Sequence, residues 1–141
     1  MASNPFVGTW RLISWEDETE AGEKRSPFGP NPNGYIMYSA DGYMSVVLCF
    51  ADRARFAADD PFGGTPAEEV SAYESYSSYC GRYEVQADRV IHHVELSWFP
   101  NWHGIDQIRF YRFDGNRLIL TTPQMLINGQ KRVSRLVWER V

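Results

Sequence analysis

Hydrophobic and polar residues alternate along most of this chain with a period of two, the spacing of half-buried strands. Residues 8–17, Gly-Thr-Trp-Arg-Leu-Ile-Ser-Trp-Glu-Asp, read as a first strand. Residues 35–39 and 43–49 flank Ala40-Asp41-Gly42, a hairpin signal. Further strands are predicted over 82–87, 90–99, 105–113, 118–122 and 131–141. Asp88-Arg89 and Asp114-Gly115-Asn116 supply tight turns, and Asn128-Gly129 turns the chain into its last strand. The Pro- and Gly-rich run 26–34 excludes regular structure, and 50–64 reads as irregular.

One segment carries helical signals instead. Thr65 can act as an N-cap, Pro66 occupies the first helical position, and Glu68 completes a capping box. An apolar stripe through Val70, Tyr73, Ser77 and Cys80, or through Tyr73, Tyr76, Tyr79 and Cys80, predicts that this helix runs on until Gly81 ends it.

These elements predict an all-β fold, an eight-stranded antiparallel up-and-down barrel with one helix inserted after the third strand. Successive hairpins without long crossovers exclude a parallel α/β sheet. Closure removes the edges that a meander would otherwise expose. At about eight strands, the interior is just wide enough for one small ligand. A β-sandwich is the alternative, and inward polar side chains would count against it because its core is apolar.

Composition narrows the function. The chain has 141 residues, which predicts one domain spanning 1–141. Hydrophobic residues make up 43%, enough for a full core. Aromatic residues reach 15%, with five Trp, eight Tyr and eight Phe, more than a core of this size needs and well suited to pocket walls. The net charge of −4 argues against nucleic acid as the partner, because phosphate binding requires a basic face. No apolar run reaches the roughly 18 residues of a membrane helix. Met1 to Phe6 show no charged or apolar leader pattern, so a cytoplasmic location is expected. Cys49 and Cys80 are expected to be reduced thiols there, and no Cys-x-x-Cys spacing supports a metal.

The candidate chemistry concentrates between Arg89 and Gly104, which holds all three histidines, His92, His93 and His103. Adjacent strand residues face opposite ways, so His92 and His93 cannot both face a cavity. Zinc binding by His92, His93 and Glu95 is therefore poorly supported. The functional expectation is that His93 and Ser97 project inward, with His93 orienting a polar group or moving a proton. Within 105–113, Gln107, Arg109 and Tyr111 share a face. Arg109, in mid-strand among aromatics, is the candidate interior charge, to be balanced by Glu95, Glu84 or an anionic ligand group. Tyr35, Tyr38 and Tyr83 add phenols that can orient a polar ligand, and Trp102 lies in a strand-end loop at a mouth. Trp10 and Trp138 read as plugs of the closed end, with Arg135 or Arg140 stacked on an indole.

At this point a family resemblance becomes specific. Gly8-Thr9-Trp10 stands where lipocalins carry their Gly-x-Trp signature. Nearly the whole chain resembles the bacterial and fungal lipocalin-like domain family, through Asn4-Pro5-Phe6-Val7 leading into Gly8, Gly34-Tyr35-Ile36-Met37-Tyr38, Asp41-Gly42-Tyr43-Met44-Ser45, His92-His93-Val94-Glu95, Pro100-Asn101-Trp102 and Leu136-Val137-Trp138-Glu139-Arg140. The resemblance implies a barrel around a small molecule, and it leaves activity unassigned.

Two functional readings follow. One is a cytoplasmic barrel that binds a small, largely apolar molecule with a carbonyl or anionic group near Arg109 and His93. The other is an enzyme without cofactor, an isomerase, cyclase or lyase for a polyketide- or terpenoid-like substrate, with His93 or a tyrosine as acid–base. No nucleophile elbow or phosphate loop is present. A homodimer stays open for so small a barrel, although no residue marks an interface.

Overall fold

The computed structural model describes residues 3–141; Met1 and Ala2, on which part of the N-terminal reading rests, lie outside the described residues. In chain order the elements are β1 (Gly8–Thr19), β2 (Lys24–Arg25), β3 (Asn33–Tyr38), β4 (Tyr43–Cys49), α1 (Pro66–Glu74), β5 (Tyr76–Val85), β6 (Arg89–Ser97), a 3-10 turn (Pro100–Trp102), β7 (Asp106–Asp114), β8 (Arg117–Thr121), β9 (Met125–Ile127) and β10 (Gln130–Arg140). Eight of the strands form the barrel, in the order β1, β3, β4, β5, β6, β7, β8, β10. Every pairing is antiparallel, and β10 returns to β1 to close the ring. The two short strands β2 and β9 extend β1 and β10 at one rim, beside Asp17 and Arg132 respectively.

The helix is shorter than its sequence signals predict. The capping box at Thr65 and Glu68 forms as expected, but the helix ends at Glu74. Tyr76 to Arg82 instead pair with β4, from Cys49 opposite Tyr76 to Tyr43 opposite Arg82. Side chains in this stretch fit two periods, and the ladder decides: on a strand, Ser77, Tyr79 and Gly81 are buried, whereas no residue of the helix is. Backbone pairing and a buried face therefore override the helical spacing.

Two bulges set which residues face the interior. The register of β1 against β10 shifts between Leu12 and Ser14, so Trp10 and Leu12 point inward below the shift and Trp15 and Asp17 above it. The second shift lies between β5 and β6 at Gly81. A Cβ placed on Gly81 would lie 2.0 Å from the His93 carbonyl oxygen, so only glycine admits the close approach of the two backbones.

The end of the barrel opposite β2 and β9 is filled. Phe6, fully buried, meets Tyr38, Tyr111 and Phe113 edge-on, with ring centroids at 5.1, 4.9 and 5.0 Å. The Trp10 indole donates to the Phe6 carbonyl at 2.9 Å. Arg140 lies over the Trp10 ring at 4.1 Å and donates to the carbonyls of Val7 (2.9 Å) and Pro5 (2.7 Å). The N-terminal segment is thus folded across the barrel as a floor. Replacing Phe6 by Ala is expected to cost about 3–5 kcal/mol, the range for a buried phenylalanine, read as the shift in urea unfolding. A loss below about 1 kcal/mol would mean that the floor does not depend on this ring.

Candidate ligand-binding cavity

Above the floor the barrel encloses a cavity of about 660 Å³. Its walls are apolar at mid-height, from Ile36 and Val46 on one side to Leu120 and Leu136 on the other. Its rim is aromatic. Phe28 meets Trp15 edge-on at 4.7 Å, and Trp98 stacks at 5.0 Å on Tyr73 of α1. The Trp98 indole also donates to the Tyr73 carbonyl at 3.1 Å, which pins the helix to the rim. The same helix is held from behind by Arg53, which donates to the Ala72 carbonyl at 3.1 Å and to the Ser75 hydroxyl at 3.0 Å.

The polar centre of the cavity is built on β5, β6 and β7. His92, 1% exposed, stands between two phenols: Tyr38 Oη lies 2.7 Å from Nε2 and Tyr79 Oη lies 2.6 Å from Nδ1. Burial, reinforced by the nearby Arg109 cation, pushes the His92 pKa well below its ordinary value. Burial also pushes the Tyr38 and Tyr79 phenols up. All three groups are therefore neutral near pH 7.

The proton positions follow from counting donors. A neutral imidazole offers one N–H and one lone pair. Tyr38 is buried and bonds only to Nε2, so its hydroxyl proton has nowhere else to go. Tyr38 must donate to a bare Nε2, which leaves the proton on Nδ1, donating to Tyr79. The hydroxyl proton of Tyr79 is then free. Tyr79 lines the cavity and Tyr38 does not, so this spare donor points where a ligand would sit.

Arg109 supplies the charge beside it. The side chain is buried and lines the cavity. Its Nη1 donates to the Ile108 carbonyl at 2.9 Å and to Gln107 Oε1 at 3.3 Å, and no carboxylate pairs with it among the described residues. Its expected partners lie elsewhere: Glu84 approaches His93, and Glu95 is exposed. A buried guanidinium without a carboxylate attracts electron-rich oxygen. At the rim, Asp17 is bonded by Arg25 at 3.0 Å and by Arg132 at 2.9 Å, so the one buried carboxylate at that end is fully engaged.

Several expected site residues stand elsewhere. His93 lies on the outer surface, bonded through Nδ1 to Asp106 at 2.7 Å and 3.7 Å from Glu84. This corrects its inward orientation. The strand turns the apolar Val90 and Val94 inward, which carries His92 in and its neighbour out. Ser97 is paired with Tyr79 by the bulge but does not line the cavity; its hydroxyl accepts the Phe99 N–H at 3.1 Å. Tyr35 is exposed on the outside. Tyr83 and Tyr111 belong to the floor: Tyr83 donates to the Ser39 carbonyl and Tyr111 to that of Gln86. Gln107 is buried on the rim side of Arg109 and accepts from it, and Trp102 stands at the rim, edge-on to Tyr79 at 6.0 Å. Both cysteines are free thiols. Sequence reasoning missed Tyr79 because it assigned that residue to the helix, and it passed over His92 by choosing the wrong face.

Comparison with known proteins bears on this cavity. A family model described as a lipocalin-like domain matches residues 7–141. A protein of Aspergillus oryzae, the 4'-hydroxy-3'-methoxypropiophenone carrier protein, is 36% identical over 107 residues, which cover 70% of this chain and 96% of that protein.

The two neighbouring histidines should titrate with opposite consequences. His92 is held neutral in the fold while the unfolded chain takes up its proton, so stability should fall as pH drops below about 6.5, by up to about 1.4 kcal/mol per pH unit. The hydrogen bond to Asp106 raises the His93 pKa against the opposing effect of burial, and Glu84 adds to the rise. Its contribution is complete below about pH 6.5 and is lost as pH rises through the raised value. Urea unfolding across this range should show a flatter acid limb for His92→Gln. His93→Ala should be weakest on the acid side and converge on the parent protein at alkaline pH. A uniform offset in both variants would contradict these assignments.

Proposed function

The chain belongs to the lipocalin-like domain family, and from that premise we propose that it is a carrier of a small aromatic molecule bearing a carbonyl group. The observation that carries the reading is the presence on one cavity lining of Arg109, a buried cation with no carboxylate partner among the described residues, and the Tyr79 hydroxyl. Two donors on the same lining suit a ketone oxygen, which offers two lone pairs. The aromatic rim suits a flat ring, through stacking and edge contacts. About 660 Å³ is ample for one substituted benzene ring with a short side chain. The relative from Aspergillus oryzae is named as a carrier of such a ketone, and the likeness supports the same class here.

An enzymatic role in the same barrel would use Tyr79 as the acid, held in place by His92 and Tyr38, with the proton it lends returned to it by the product. The line of three neutral hydrogen-bonded groups, with phenol, imidazole and phenol in sequence, favours that second reading. His93 has no part in it, because it lies outside the barrel.

Calorimetric titration with 4'-hydroxy-3'-methoxypropiophenone tests the carrier reading. Saturable binding is expected, and Arg109→Met should weaken it at least tenfold, about 1.4 kcal/mol or more. Recovery of the ketone unchanged after long incubation supports a carrier, and conversion to a product supports the enzyme. Unaltered affinity in Arg109→Met would sink the proposed anchor.

A further inference from the structure

The polar centre on β5 and β6 has a counterpart on the opposite wall. In the ring of eight strands, β10 lies four steps from β5, and β1 lies four steps from β6. The wall made by β1 and β10 carries Trp15, Ser134 and Trp138, and all three line the cavity. The indole Nε1 of Trp15, the hydroxyl of Ser134 and the indole Nε1 of Trp138 are buried and have no hydrogen-bond partner among the described residues. Ser134 and Trp138 are 3% and 1% exposed. Three such atoms on one wall are unusual, because buried polar groups are nearly always paired.

The register explains why they share one wall. Trp138 lies opposite Leu12, Leu136 opposite Trp15, and Ser134 opposite Asp17, so the three share the inner face of one antiparallel pair. Asp17 does not take up the Ser134 hydroxyl, because its oxygens are held by Arg25 and Arg132. Thr122, the next inward neighbour, accepts the backbone N–H of Ser134 at 2.9 Å and leaves the hydroxyl free.

We infer that the ligand carries two oxygen functions, with the second held on this wall by Trp15, Ser134 and Trp138. An indole N–H only donates, so the group it meets must accept. That selects an ether, a hydroxyl or a carbonyl and disfavours an ammonium, which would face donors on both walls together with the Arg109 cation. A ligand that spans the barrel then presents its ketone to Tyr79 and Arg109 and a ring oxygen to the indoles. The two ends are chemically coupled: a ring oxygen para to an acyl group donates electron density through the ring and makes the ketone oxygen a better acceptor. The inference rests on the carrier reading and adds to it which wall holds which end.

The test compares propiophenone, which has only the ketone, with 4'-hydroxy-3'-methoxypropiophenone, titrated calorimetrically into the full chain and its variants. The parent protein should bind the oxygenated ketone at least tenfold more tightly. Trp138→Phe and Ser134→Ala should each reduce that ratio to about threefold or less, with the propiophenone Kd unchanged; thermal melts check that both variants fold. Tyr79→Phe should weaken both ketones by the same factor, because they share the carbonyl. Equal affinity for the two ketones in the parent protein, or an unchanged ratio in both wall variants, overturns the second subsite and leaves the carrier reading standing. Loss confined to the oxygenated ketone in Tyr79→Phe overturns the assignment of the ends. Binding of neither ketone overturns the carrier reading, and this inference with it.

Discussion

The seal made by the N-terminal segment is the contact on which the interior depends. Phe6 fills the end of the barrel, Trp10 bonds to its carbonyl, and Arg140 ties the segment down from the last strand. The layer directly above it contains Tyr38, His92 and Arg109, polar groups whose behaviour depends on being dry. Were water admitted from below, Tyr38 would gain other partners and His92 would be free to protonate. The floor closes this layer off on its lower side, where it shields Tyr38 and the Tyr38–His92 hydrogen bond from water. Residues with no ligand contact thus set the chemistry of those that line the cavity.

The polar layer has one logic throughout: donors in excess of acceptors. His92 is neutral and its two nitrogens are used up by the tyrosines. Arg109 donates to a carbonyl and an amide oxygen and retains further N–H groups. On the far wall the unpaired atoms are two indoles and a hydroxyl. The carboxylate facing inward, Asp17, is neutralised by two arginines. The rest of the lining is mostly aliphatic and aromatic, with Ser77, Thr122 and Asn128 as further polar residues and Glu74 contributed by the helix.

Much of the fold was legible in the sequence because period-two alternation and Gly- or Asn-bearing turns have direct structural causes. The closed eight-stranded antiparallel barrel, the capping box at Thr65 and the hairpin around Asp41 all follow from local rules. The site was legible only in part. Arg109, Gln107 and Trp102 could be assigned inward or rim positions from alternation and loop signals. His92 could not be chosen over His93, because alternation fixes that neighbours differ and leaves open which one is inside. Tyr79 was hidden by a stretch whose side chains fit two periods, and only pairing with β4 resolves them. Trp15 and Asp17 sit beyond a bulge that shifts the register by one residue, and a bulge leaves little trace in the pattern. The ion triad of Asp17, Arg25 and Arg132 joins residues far apart in sequence, so no local signal marks it.

A closed floor has a kinetic meaning as well as an electrostatic one. With Phe6 and Arg140 shutting one end, the cavity is a cul-de-sac with a single doorway, framed by Trp98, Trp102 and the helix bearing Tyr73. On the proposed carrier reading, entry and exit of a ligand would share that one passage, and its rates of uptake and release would both be set by the same few aromatic side chains.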